Sequence, residues 1–170
     1  MVGQGWQIRD ARPEDATGLA RVHVDSWRET YAGVLSERFF TEEAFERRAA
    51  FWSDYLERDP RPGQVSLAVD GDVILGFANS GASVGPDAER GHPSVRSQTL
   101  FAIYLLARAH GTGAGQALHD AVVGHAPAQL WVLKGNSRAT AFYRRNGFQF
   151  DGVEYVDPAD PDLVELRMVR

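Results

Sequence analysis

One stretch of this chain limits the folds open to it more than any other. Leu100–Ala107 is the longest purely apolar run, and Gly111-Thr112-Gly113-Ala114-Gly115 follows it almost at once. The run is too short to cross a bilayer, which takes roughly 20 residues, but long enough for one buried strand. Three glycines at alternate positions let the backbone turn tightly and approach a ligand closely. Beyond them Ala117, Leu118, Ala121 and Val122 recur at helical spacing. A strand, a glycine turn and a helix start in that order form an anion site, because the first N–H groups of the helix and the positive end of its dipole face the turn. The alternative is a glycine-rich turn with a capped helix and no ligand. Two phosphate-binding patterns are excluded. A dinucleotide fingerprint would need glycine at 116 or 118, where Gln116 and Leu118 stand, and the chain has no G-K-[ST] ending of a P-loop.

The rest of the chain alternates elements around that feature. Trp6–Asp10 reads as a short strand. Pro13-Glu14-Asp15 opens a helix with Ala16, Leu19, Ala20, His23, Trp27 and Thr30 on one stripe, broken by Gly33. Ser36 and Thr41 start further helical pieces, and Phe45, Ala49, Trp52 and Leu56 form a second stripe. Gln64–Val69 and Asp72–Ser80 are apolar runs joined through Asp70-Gly71, a hairpin signal. Residues 81–94 read as a loop. After the glycine segment come a strand over Gln129–Leu133, a short helix capped by Asn136-Ser137 and ended by Asn146-Gly147, and strands over Phe148–Val156 and Leu163–Val169. This order predicts a mixed α+β or α/β domain with helices on both faces of one sheet.

Composition removes several function classes. The 170 residues predict a single domain over 1–170, and 44% apolar residues suffice for a core. There is no cysteine, so thiolate nucleophiles, disulfides and cysteine metal sites are excluded, and no metal site is expected. A net charge of −5 argues against nucleic acid as a partner. Met1–Asp10 lacks a basic segment followed by an apolar one, so no leader is expected. A cytoplasmic protein without membrane contact is the expectation.

A second constellation identifies a family. Asn136, Ala139, Phe142, Tyr143, Gly147 and Phe148 complete the pattern N-x-x-A-x-x-F-Y-x-x-x-G-F, and His110-x-x-Gly113-x-Gly115 matches Q/R-x-x-G-x-G/A except that His110 replaces Gln or Arg. In both segments, and in Ile8–Tyr31, the chain resembles the GNAT acetyltransferases. The resemblance implies a mostly antiparallel sheet with a splayed parallel strand pair, and acetyl-CoA lying between the strands that end near Leu106 and Leu133. It implies that Leu105 and Leu106 align the pantetheine arm, that a backbone N–H of one of them stabilises the oxyanion, and that His110, Gly111, Thr112, Gly113, Ala114 and Gly115 hold the pyrophosphate. Asn136 and Ala139 would also touch the cofactor, and Tyr143 would protonate the leaving thiolate. The implied reaction is direct attack of a primary amine, of a small molecule or a peptide, on the acetyl group. A silent acyl-CoA sensor and a nucleotide-binding protein are the alternatives.

Trp27 and Tyr31 are candidates to wall the acceptor pocket. The glutamate that many relatives use as base aligns near Thr99, which cannot take a proton. Asp25, Glu29, His23, His92 or a water chain are therefore the candidates for that role. The resemblance also raises homodimer formation through the late strands.

Overall fold

A computed structural model describes residues 5–170. Residues 1–4, part of the segment read above for a leader, lie outside the described residues. In chain order the elements are β1 (Gln7–Asp10), α1 (Ala16–Tyr31), α2 (Glu42–Glu57), β2 (Gly63–Asp70), β3 (Val73–Ala82), α3 (Pro86–Glu89), β4 (Gln98–Leu105), α4 (Ala114–Val122), β5 (Gln129–Leu133), α5 (Ser137–Arg145), β6 (Gln149–Asp157) and β7 (Asp160–Val169). The strands form a mixed sheet in the order β1-β2-β3-β4-β5-β7-β6. The β1/β2, β5/β7 and β6/β7 ladders are antiparallel, and β4/β5 is parallel, joining Thr99 to Gln129 and Leu100 to Leu130. No helix among the described residues is long and apolar enough to cross a membrane.

The chain forms two compact units. The first runs to Asn79 and adds Ala102–Gly124; the second comprises Ser80–Phe101 and His125–Arg170. In the first unit α1 and α2 pack together over a core that includes Leu19, Trp52, Leu67 and Phe77. The entry to α1 is fixed by Asp15. Its carboxylate accepts two hydrogen bonds from Arg9 at 2.7 Å each and a third from the Arg12 N–H at 2.7 Å. The Arg9 guanidinium is the main reason that the Asp15 carboxyl lies below its ordinary pKa. Thr41 Oγ1 caps α2 by accepting from Ala44 N at 3.1 Å.

In the second unit, residues 81–94 are more ordered than the loop expected. Strand β3 continues to Ala82, and Pro86 opens a single helical turn. Buried Gln129 supplies the reason. Its side-chain oxygen accepts from Val95 N and Arg96 N at 2.8 and 3.2 Å, and its amide donates to Ala88 O at 3.1 Å. A side chain from β5 thus satisfies backbone groups of a segment that has no periodicity of its own. Asn146-Gly147 ends α5 as expected, with Gly147 supplying the left-handed residue (φ +86°) and Asn146 staying at φ −93°. The β6–β7 connection is tighter than read, since β7 already begins at Asp160. In α4 the buried face is Ala114, Leu118, His119 and Val122, whereas Ala117 and Ala121 are only half-buried.

Candidate active site

The glycine turn leaves several backbone N–H groups without an acceptor among the described residues. Gly111 and Gly113 hold φ of +74° and +91°, so the chain enters α4 through two left-handed residues. Gly113 is the N-cap of α4, and no side chain caps the helix from that position. Thr112 Oγ1 donates to Ala109 O at 2.8 Å and receives Ala114 N at a long 3.4 Å. Among the described residues no acceptor meets the N–H of Gly111, Thr112, Gly113 or Gly115. A Cβ built on Gly111 would meet nothing within 4 Å, and one on Gly113 would reach only Trp6 Cζ2 at 3.8 Å. These amides lie on an open surface and converge on a helix start, which suits a multiply charged anion.

The strand that feeds the turn is pinned at its end. Leu106 N donates to Leu75 O at 2.9 Å. That bond engages the Leu106 N–H, one of the two expected as oxyanion donor, with β3. Successive N–H groups of a strand point to opposite edges, so the Leu105 N–H turns away from β3. His110 does not extend freely toward the turn as a stand-in for Gln or Arg. Its Nε2 lies 3.1 Å from Leu105 O, and since a carbonyl only accepts, Nε2 carries the proton there. Glu29, in the last turns of α1, accepts from Ala107 N at 2.6 Å. No sequence spacing announces that contact, which spans 78 positions.

Beside this strand end lies an aromatic shell. His23 stacks on Tyr104 with ring centroids 4.9 Å apart and meets Phe77 and Trp27 at 5.5 and 6.0 Å. Trp27 in turn meets Tyr31, Phe39 and Tyr104 at 5.5, 5.7 and 5.9 Å. Trp52 and Phe77 are fully buried and form the floor, while His23, Trp27, Tyr31, Phe39 and Tyr104 are half-buried. The structure therefore gathers Trp27 and Tyr31 as expected neighbours and adds Phe39 and Tyr104 to them.

Arg48, which the sequence reading passed over, enters the same shell. Its guanidinium carbon lies 4.9 Å from the Trp27 ring centroid, and its Nη1 lies 2.5 Å from His23 Nε2. Arginine has only donors, so His23 Nε2 is the acceptor and the ring is neutral. Burial, followed by the Arg48 charge, holds His23 well below its ordinary pKa. The lone pair that would take a proton from an amine is thus engaged. A signal for Arg48 was present: it lies three residues after Phe45 and four before Trp52, on the apolar stripe of α2.

The other base candidates separate. Asp25 pairs with Arg28 at 3.0 Å on the surface of α1. His92 Nε2 donates to Glu154 O at 3.1 Å, in the second unit. Thr99 is buried with its hydroxyl 2.6 Å from Ser83 Oγ. Glu29 is the carboxylate found at the end of β4.

The second unit holds the other motif. Asn136 Oδ1 accepts from Ala139 N at 3.0 Å and so caps α5. Tyr143 is buried on the same helix, its ring 5.5 Å from Phe142 and 6.0 Å from Phe148. Gly147 then turns the chain so that Phe148 N donates to Tyr143 O at 3.0 Å.

A mixed sheet with a parallel strand pair and a glycine turn of open amides is the frame against which the chain was compared with known proteins. Residues 20–148 match the acetyltransferase (GNAT) family. The chain is 33% identical to the uncharacterized N-acetyltransferase YuaI of Bacillus subtilis, over 94% of this chain and 95% of that protein. It is 29% identical to the probable N-acetyltransferase Rv2775 of Mycobacterium tuberculosis, over 86% and 81%. The PaiA N-acetyltransferase of Thermoplasma acidophilum, solved with coenzyme A, shares the fold at a TM-score of 0.68 and 19% identity, covering 95% of this chain and 97% of that one. The chain belongs to the GNAT acetyltransferase family. It is an acetyl-CoA-dependent N-acetyltransferase.

Proposed function

We propose that the protein transfers the acetyl group of acetyl-CoA to a primary amine by direct attack, with the diphosphate of the carrier on the amides of the 111–115 turn. The observation that carries this reading is that the N–H groups of Gly111, Thr112, Gly113 and Gly115 have no acceptor among the described residues and gather at the start of α4, where the helix dipole favours an anion. Bound acetyl-CoA supplies a thioester already activated toward amines. In the proposed reaction a C–N bond forms, the C–S bond breaks, the amine loses a proton and the thiolate gains one.

The chain supplies four roles. Leu105 N–H is assigned to the developing oxyanion, since Leu106 N–H is held by Leu75 O. His110 braces that donor by holding the Leu105 carbonyl. Glu29 is assigned to receive the amine proton, directly or through water, because its carboxylate lies at Ala107 N, two residues beyond the end of β4. Tyr143 is assigned as the acid for the thiolate, on the strength of its motif and of the phenol as a donor. The absence of cysteine is compatible with transfer without a thiol-bound intermediate on the enzyme.

The test has two arms. CoA should raise the melting temperature where ATP and NAD do not; a site filled at 100 times its dissociation constant adds about 2.7 kcal/mol. Acetyl-CoA with amines should release free thiol. Protection by ATP alone, or no thiol release from amino acids, polyamines, aminoglycosides and peptides alike, would overturn the reading.

A further inference from the structure

The first unit contains a cation that the proposed chemistry leaves unused. Arg48 is half-buried. Among the described residues its one hydrogen-bond partner is His23 Nε2, and it stands over the face of Trp27. None of the ion pairs among the described residues includes Arg48. A guanidinium has five N–H donors, and one acceptor nitrogen leaves most of them without a protein partner. Burial of a cation without a counter-charge is costly, and burial is the main reason that Arg48 lies below its ordinary pKa. A second donor shares the predicament: the indole N–H of Trp27 is buried with no hydrogen-bond partner among the described residues.

The surroundings narrow what would satisfy these donors. Trp27 and Tyr104 are both in contact with His23, and Tyr104 directly precedes Leu105, the residue assigned to the oxyanion. The shell thus holds apolar rings, unpaired donors and a fixed positive charge next to the reacting end of β4. A polyamine or aminoglycoside would bring further cations to an uncompensated guanidinium, which is unfavourable. A planar anion matches the guanidinium fork and can take a bidentate pair.

We propose that Arg48 and the Trp27 face form the acceptor-recognition site, and that they receive the carboxylate of a small amino-carboxylate whose primary amine is acetylated. This rests on the acetyltransferase reading and adds the class of acceptor to it. Arg48 is a binding residue here, not a proton carrier.

The experiment measures kcat/KM for leucine and phenylalanine against leucinamide, phenylalaninamide and spermidine, compared at equal concentration of neutral amine. The wild type should favour the carboxylates by about tenfold to a hundredfold, the usual weight of one charge-assisted pair. Arg48→Met should erase that preference through KM while keeping the melting shift caused by CoA, and Arg48→Lys should restore part of it. Equal or better turnover of the amides or of spermidine by the wild type, or an unchanged ratio in Arg48→Met, would overturn the assignment. If no amine is turned over, the acetyltransferase reading fails and a second readout still judges the anion site. Phenylacetate at millimolar concentration should then raise the melting temperature of the CoA-loaded wild type but not of Arg48→Met; equal shifts overturn it.

Discussion

Two helix starts of this molecule look alike in sequence and differ in structure. The turn before α4 and the turn before α5 each follow a strand, and each carries a family motif. At α5 the chain satisfies itself, with Asn136 Oδ1 accepting from Ala139 N at 3.0 Å. At α4 the cap is Gly113, which has no side chain to offer, and the nearest hydroxyl reaches Ala114 N only at 3.4 Å. The contrast separates stability from binding. A helix start closed by its own side chain contributes to folding, whereas one left open keeps its donors for a ligand.

Substitution at the open start should have the largest effect. Gly113→Val forces a β-branched residue to φ +91° and puts a side chain in front of the amides. Two lost charge-assisted bonds of about 1.5–3 kcal/mol each predict at least about a hundredfold weaker CoA binding by calorimetry. The strain of about 1–3 kcal/mol should lower the melting point without unfolding the chain. Full CoA affinity in a folded Gly113→Val protein would erase the distinction between the two starts.

Tyr143→Phe asks whether the second motif does more than pack. Loss of a general acid predicts about a hundredfold lower kcat, with the CoA melting shift unchanged. Unaltered turnover would leave Tyr143 as a core ring against Phe142 and Phe148. Glu29→Gln keeps an oxygen for Ala107 N but not the basicity. We expect roughly tenfold lower kcat at pH 7, partly recovered at higher pH where more of the amine is already neutral. A purely structural Glu29 would show neither the loss nor the recovery.

Asn136→Ala sharpens the comparison from the closed side. Loss of the cap should cost about 1 kcal/mol, or roughly 2–4 °C in Tm for a chain of this length. Retained CoA affinity would confine Asn136 to capping, and a parallel fall in affinity would give it both roles. The smallest effect concerns a third helix entry, that of α1, which Asp15 fixes through Arg9 and the Arg12 N–H and not through a side-chain cap. Because the Asp15 carboxyl is held below its ordinary pKa by Arg9, its contribution is complete above the unfolded value of about 3.9 and is lost as pH falls through the lower folded value. Asp15→Asn should therefore cost about 0.5 kcal/mol at pH 7 and progressively less toward pH 3, read as a converging pair of denaturation midpoints.

Local sequence determined much of this protein. The strand before the glycine turn, the left-handed glycines, the Asn136 and Thr41 caps and the Asp-Gly hairpin are properties of a few adjacent residues, since backbone dihedrals and neighbouring hydrogen bonds decide them. Tertiary structure decided what local pattern does not encode. Gln129 orders a segment more than 30 positions away, Leu75 O takes up the Leu106 N–H, and Glu29 meets Ala107 across 78 positions. Arg48 shows both sides. Its place on the helix stripe was fixed by the 3.6-residue period, but only packing against Trp27 and His23 left a half-buried charge without a counter-ion, because a counter-ion depends on which distant side chains the fold brings within reach.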